Sequence, residues 1–179
     1  MRFLSAALLL VLLLSAPAFS QTALIDTAKR YVGIKEATGH NDGYFIEKFL
    51  KSVGRKKGDS YCAAFVSYCL DKSFAKYPKV RSGLARAFKL PGYIKAMDVF
   101  YGARVPGGYL VGFENIGTWS GHIEILRAAS QGSTLYTIGA NTSNGLKGSQ
   151  SDGNGIYERT RKVCPYGQFR ITWFTKVSY

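Results

Sequence analysis

Two kinds of hydrophobic spacing divide this sequence, and the order in which they occur constrains the fold. Up to about residue 100, apolar side chains recur three and four residues apart, the spacing of a helix with one buried face. Ala23, Leu24, Ala28, Tyr31 and Val32 share such a face over residues 22–32, and Gly33 closes it. Phe45, Ile46, Phe49, Leu50 and Val53 do the same over residues 44–53, with Asn41 or Asp42 available as cap and Gly54 as stop. Residues 59–70, Asp-Ser-Tyr-Cys-Ala-Ala-Phe-Val-Ser-Tyr-Cys-Leu, predict a third helix capped by Asp59 or Ser60. Shorter helices are expected over 82–88, stopped by Pro91, and over 93–100. The pattern then changes. Residues 104–113 (broken by Pro106-Gly107-Gly108), 122–126, 134–138, 155–161 and 168–174 are β-rich runs between Gly, Asn, Ser and Asp turns. Helices first and strands afterwards argue an α+β fold, with N-terminal helices packed on an antiparallel sheet.

The first twenty residues stand apart. Arg2 precedes an unbroken apolar run over 6–14, too short to span a bilayer, and Ala18-Phe19-Ser20 offers small residues ahead of Gln21. Residues 1–20 therefore read as a secretory signal peptide cleaved near Ser20-Gln21, and residues 21–179 as a single domain that is secreted or periplasmic. The formal charge of +13 at pH 7 suits anionic polymers outside the cell. A monomer is expected, and no nucleic-acid partner.

Cys62 opens the third helix. A thiol in a first helical turn lies at the positive end of the helix dipole, which favours the nucleophilic thiolate. The competing reading is a plain core helix, because Cys62, Phe65, Val66 and Cys69 fall on one face. Disulfide geometry separates the cysteines. Cys62 and Cys69 on one helix are roughly 10 Å apart at about 1.5 Å per residue, beyond the reach of about 7 Å between Cα atoms. A Cys69–Cys164 bridge remains open and would leave Cys62 free.

A nucleophilic cysteine needs a base, and the chain has two histidines. His122 starts a β-rich run, Gly121-His122-Ile123-Glu124-Ile125-Leu126, whereas His40 sits in a Gly/Asn/Asp loop and reads as a turn or rim residue. Asn141 ends the following strand. Antiparallel pairing would bring it beside His122, as the orienting member of a Cys-His-Asn set. Glu124, two residues from His122, shares its side of the sheet and is a supporting candidate. His40, Asp42, Cys62 and His122 lack the paired spacing of metal ligands, and Ser151-Asp152-Gly153-Asn154-Gly155 lacks the alternating acids of a calcium loop. No metal or other cofactor is expected.

The segments Tyr61-Cys62-Ala63-Ala64-Phe65-Val66, Gly121-His122-Ile123-Glu124 and Ile138-Gly139-Ala140-Asn141-Thr142, in that order, resemble the CHAP group of cysteine amidohydrolases and peptidases, within the NlpC/P60-like, papain-like superfamily. The resemblance spans about residues 28–142. It implies a helix headed by Cys62 against a sheet carrying His122, and hydrolysis of an amide bond in peptidoglycan. Carried over, Cys62 is the nucleophile, His122 the base and Asn141 the polar orienting residue, with Tyr61 beside the nucleophile. There is one departure. Many members have Glu two positions before the Asn, where this chain has Gly139, and Glu124 stands ready to compensate. Two alternatives stay open: a wall-binding module with a degraded site, and an exported antibacterial amidase with an immunity partner.

Overall fold

The computed structural model describes residues 22–144 and 152–179. The expected signal peptide, Gln21 and Ser151 lie outside them. The described chain is α+β. Helices α1 (Thr22–Lys29), α2 (Tyr44–Ser52) and α3 (Cys62–Lys72) come first, followed by a 3-10 turn at Ala85–Phe88, the two-residue strand β1 (Ile94–Lys95) and the short helix α4 (Ala96–Phe100). Then come β2 (Leu110–Asn115), β3 (Gly121–Leu126), β4 (Thr134–Thr142), β5 (Gly155–Lys162) and β6 (Phe169–Thr175). They form one six-stranded sheet, in the order β1-β6-β2-β3-β4-β5, in which every neighbouring pair is antiparallel.

Helix α3 is the centre of the main core. Cys62 through Leu70 are all buried, which is the state of a helix covered on every side. One flank meets α1 and α2, where Tyr31, Phe49, Phe65 and Tyr68 pack edge-on or tilted, with ring centroids 5.0–6.2 Å apart. The other flank lies on the sheet among Ile123, Ile125, Ile138, Ala140 and Trp173. Trp173 is fully buried and fills the space over Gly112, where a Cβ would lie 1.9 Å from its ring. A smaller cluster, including Val111, Phe113, Leu126, Leu135 and Phe174, packs with Ala96 and Val99 of α4. Strand β3 serves both, because successive residues of a strand face opposite ways.

Several local expectations are corrected. Neither Asp59 nor Ser60 caps α3. Tyr61 is the N-cap residue, without a side-chain cap bond, and the Asp59 carboxylate instead accepts from the Lys56 backbone N–H at 3.0 Å. The helix expected over 93–100 is divided: Ile94 and Lys95 pair with Phe174 and Trp173 as an edge strand, and only Ala96–Phe100 is helical. Residues 82–88 form a 3-10 turn at Ala85–Phe88. Strand β2 starts at Leu110 rather than 104, since Pro106 lacks the N–H that a paired strand requires. The Cys69–Cys164 bridge is absent: all three cysteines are free, with Cys69 buried inside α3 and Cys164 exposed.

Candidate active site

The site is built where the start of α3 meets β3. The Tyr61 carbonyl accepts the first helical bond, from Phe65 N–H at 2.8 Å, so Cys62 lies in the turn whose own N–H groups lack intrahelical partners. Its side chain is 5 % exposed. Along β3 the alternation sends Ile123 and Ile125 into the core with α3 and leaves His122 and Glu124 on the alternate positions. The strand thus carries an apolar packing face and a polar pair.

His122 is fully buried. Its Nε2 donates to Glu124 Oε1 at 3.2 Å, and Phe113 meets the ring edge-on with centroids 5.4 Å apart. Burial works against a charged imidazole. The electrostatic influence of the neighbouring Cys62 side chain and the hydrogen bond to Glu124 outweigh it and push the His122 pKa up to about 9. Nδ1 has no partner in regular hydrogen-bond geometry, so the ring nitrogen not committed to Glu124 is open for proton exchange.

Glu124 is also fully buried. Its Oε2 accepts from Thr137 Oγ1 at 2.6 Å. Arg161 Nε reaches Oε1 at 3.2 Å and Oε2 at 3.1 Å, and Arg161 Nη2 also bonds Oε1. Desolvation would raise the carboxyl pKa, but the bond to His122 and the Arg161 guanidinium hold it down to about 2. Arg161 also donates to Thr142 Oγ1 at 3.2 Å, and its guanidinium carbon is 5.5 Å from the Phe113 ring centroid.

Asn141 does not orient His122. The β3–β4 pairing ends at Glu124↔Gly139; had it continued in register, Asn141 would face His122. On the other edge of β4 the pairing with β5 shifts register between Ala140 and Thr142, and Asn141 takes a left-handed φ of 58°, so it does not continue the regular alternation of the strand. That side chain is fully buried, and neither its oxygen nor its nitrogen has a hydrogen-bond partner. Its backbone N–H bonds the Tyr61 hydroxyl. Tyr61 in turn donates to Glu36 Oε1 at 3.1 Å, so it ties the start of α3 to β4 and to the loop around residue 36. Burial, then the Glu36 charge, raises the Tyr61 pKa far above that of an ordinary phenol.

His40 has no hydrogen bond to Cys62, His122, Glu124 or Asn141. It lines a polar cleft of about 710 Å³ with Glu36, Asn41, Ser143, Asn144 and Asp152. Asp42 is held by Thr38 N–H at 2.9 Å and lies 3.4 Å from Lys57. Among the described residues, no group of three or more His, Cys, Asp or Glu is arranged to hold a metal ion.

The sequence thus points to Cys62, His122 and Glu124, which come together, and to Asn141, whose amide makes no hydrogen bond to the imidazole. It gives no sign of Thr137, Arg161 or the space at Gly139. Arg161 is 37 residues from Glu124, and only the strand order brings them together. No protein-family model matches the chain, and no curated protein or solved structure matches it either.

Proposed function

We propose that this protein is a secreted cysteine hydrolase that cleaves an amide bond in peptidoglycan, with a papain-like, CHAP-type arrangement of its catalytic groups. The observation that carries the reading is the meeting of Cys62, at the head of a buried helix, with a His122 ring whose other nitrogen is held by an ionised Glu124. A thiol, an imidazole and a buried carboxylate in series are the parts of nucleophilic acyl transfer.

The Cys62 thiolate attacks the amide carbonyl while His122 carries the proton. The Cys62 backbone N–H, at the open start of α3, donates to the developing oxyanion. The C–N bond breaks as His122 passes its proton to the leaving amine. Water, deprotonated by His122, then attacks the thioester and releases the carboxylic acid and the thiolate. Glu124 keeps the ring in one tautomer throughout, because a carboxylate only accepts and Nε2 must donate to it. The basic surface holds the protein near an anionic wall.

The test uses purified peptidoglycan with wild type and Cys62→Ala, and mass spectrometry of the released fragments. Cleavage by wild type, lost in Cys62→Ala while both proteins still pellet with the wall, supports the hydrolase. New amine and carboxyl ends identify the bond. Equal inertness of the two proteins sinks it. That outcome favours a second reading, a wall-binding module without turnover. The observation behind this alternative is the closure of the site, with Cys62 5 % and His122 0 % exposed.

A further inference from the structure

The residues that hold Glu124 come from strands bearing neither the nucleophile nor the base. Glu124 is shut away from water, and a buried carboxylate is tolerated only when charge and hydrogen bonds compensate it. Arg161, on β5, meets it with two nitrogens of one guanidinium plane, Nε spanning both oxygens at 3.2 and 3.1 Å and Nη2 bonding Oε1. Such a fork fixes the plane of the carboxylate as well as its charge. Thr137, on β4, donates to Oε2 at 2.6 Å. Arg161 is itself confined: its side chain is 10 % exposed, it donates to Thr142, and it lies over Phe113, which also packs against His122.

Gly139 supplies the complementary feature. It is the direct cross-strand partner of Glu124. A Cβ there would lie 2.4 Å from Glu124 Oε1 and 2.8 Å from its Cδ. Gly139 is not among the glycines with positive φ, so the backbone does not demand glycine at this position. The space does. Any side chain at 139 would drive the carboxylate away from both Arg161 and His122.

We infer that Arg161 and Gly139 are positioning residues for the Cys62–His122 pair, Arg161 gripping the Glu124 carboxylate from β5 and Gly139 leaving the volume that this carboxylate occupies. Neither touches the reacting atoms. Their effect on turnover rests on the hydrolase reading; their effect on the orientation of His122 does not.

The experiment uses the full chain, with Arg161→Met, Arg161→Lys, Gly139→Ala and, as control, the exposed neighbour Lys162→Met. Two readouts are independent of turnover: the His122 Nε2–H proton resonance, and the rate at which iodoacetamide modifies Cys62 at mildly acid pH, followed by peptide mass spectrometry so that Cys164 is scored separately. In folded Arg161→Met and Gly139→Ala, the Nε2–H resonance is lost to exchange and Cys62 alkylation slows about tenfold. Cleavage, where measured, drops about 100-fold in kcat with KM within about twofold. Arg161→Lys keeps the charge but not the fork, and recovers only part of the loss. Lys162→Met matches wild type. If Arg161→Met does not fold, Gly139→Ala and Arg161→Lys carry the same test. Folded variants with a wild-type resonance and alkylation rate overturn the proposal, even if wild type cleaves peptidoglycan. Altered resonance and alkylation in a protein whose wild type cleaves nothing uphold the positioning roles and overturn the hydrolase.

Discussion

Glu124 and Asn141 are both fully buried polar residues near the start of α3, and their surroundings could hardly differ more. Glu124 accepts from His122, Thr137 and Arg161, three side chains on three strands. The amide of Asn141 meets no partner, although its backbone N–H is engaged by Tyr61. A buried polar side chain is therefore not evidence of a role by its presence alone. The donors and acceptors built around it decide whether it can hold a neighbour in place, because an unpartnered group in a low dielectric is a cost and a fully satisfied one is a fixed point.

The largest expected effect tests the Glu124 side of this contrast in turnover. Glu124→Gln keeps the shape but cannot remain an acceptor-only partner for Nε2, so kcat should fall on the order of 10⁴-fold. Asn141→Gly, which suits the left-handed φ, should cost less than about tenfold. Steady-state cleavage of peptidoglycan measures both, and a greater loss in the Asn141 variant would reverse the comparison. Next comes stability. Glu124→Ala removes the carboxylate that neutralises the nearly buried Arg161 guanidinium and should cost about 3–5 kcal/mol in urea unfolding. Asn141→Gly removes two unpartnered polar atoms and should stay within about 1 kcal/mol of wild type.

The pH profile sharpens the same contrast. The His122 pKa is raised from 6.5 to about 9, so its contribution to stability is complete below 6.5 and is lost as the pH rises through about 9. The Glu124 pKa is lowered from 4.5 to about 2, so its contribution is complete above 4.5 and is lost as the pH falls through about 2. Unfolding free energy measured across this range should show both limbs in wild type and in Asn141→Gly, while Glu124→Gln should lose the acid limb and blunt the alkaline one. Wild-type limbs in Glu124→Gln would detach the pair from stability. The smallest effect is at the other cysteine of α3. Burial pushes the Cys69 thiol well above its ordinary pKa, so Cys69→Ala should leave cleavage unchanged and lower stability by about 1 kcal/mol, as thermal unfolding would read.

Much of the architecture was legible because it follows from local spacing. The three-and-four spacing of Phe45, Ile46, Phe49 and Leu50, or of Phe65 and Cys69, is enough to place a helix, and the β-rich run after Gly121 is enough to place His122 and Glu124 on one side of β3. What escaped depends on where strands stop pairing. Asn141 would face His122 by simple register counting, and it fails to because the ladder ends two pairs earlier and Asn141 itself takes a left-handed conformation. Arg161 escaped for a related reason: its charge looks like solvated surface until β5 is laid beside β4. Gly139, read as the loss of an acid, is room for one that arrives from the facing strand.

The strand order has a consequence for biosynthesis. Strand β6, the last described strand in the chain, lies between β1 and β2, and its Trp173 fills the hollow over Gly112. Until residues 169–175 have emerged, β2 lacks one neighbour, β1 has none, and the helix bearing Cys62 has only part of its floor. During vectorial synthesis β6 thus acts as a keystone, and a polypeptide interrupted before it would present bare strand edges. The pocket around Cys62 and His122 is therefore complete only once residues 169–175 are in place.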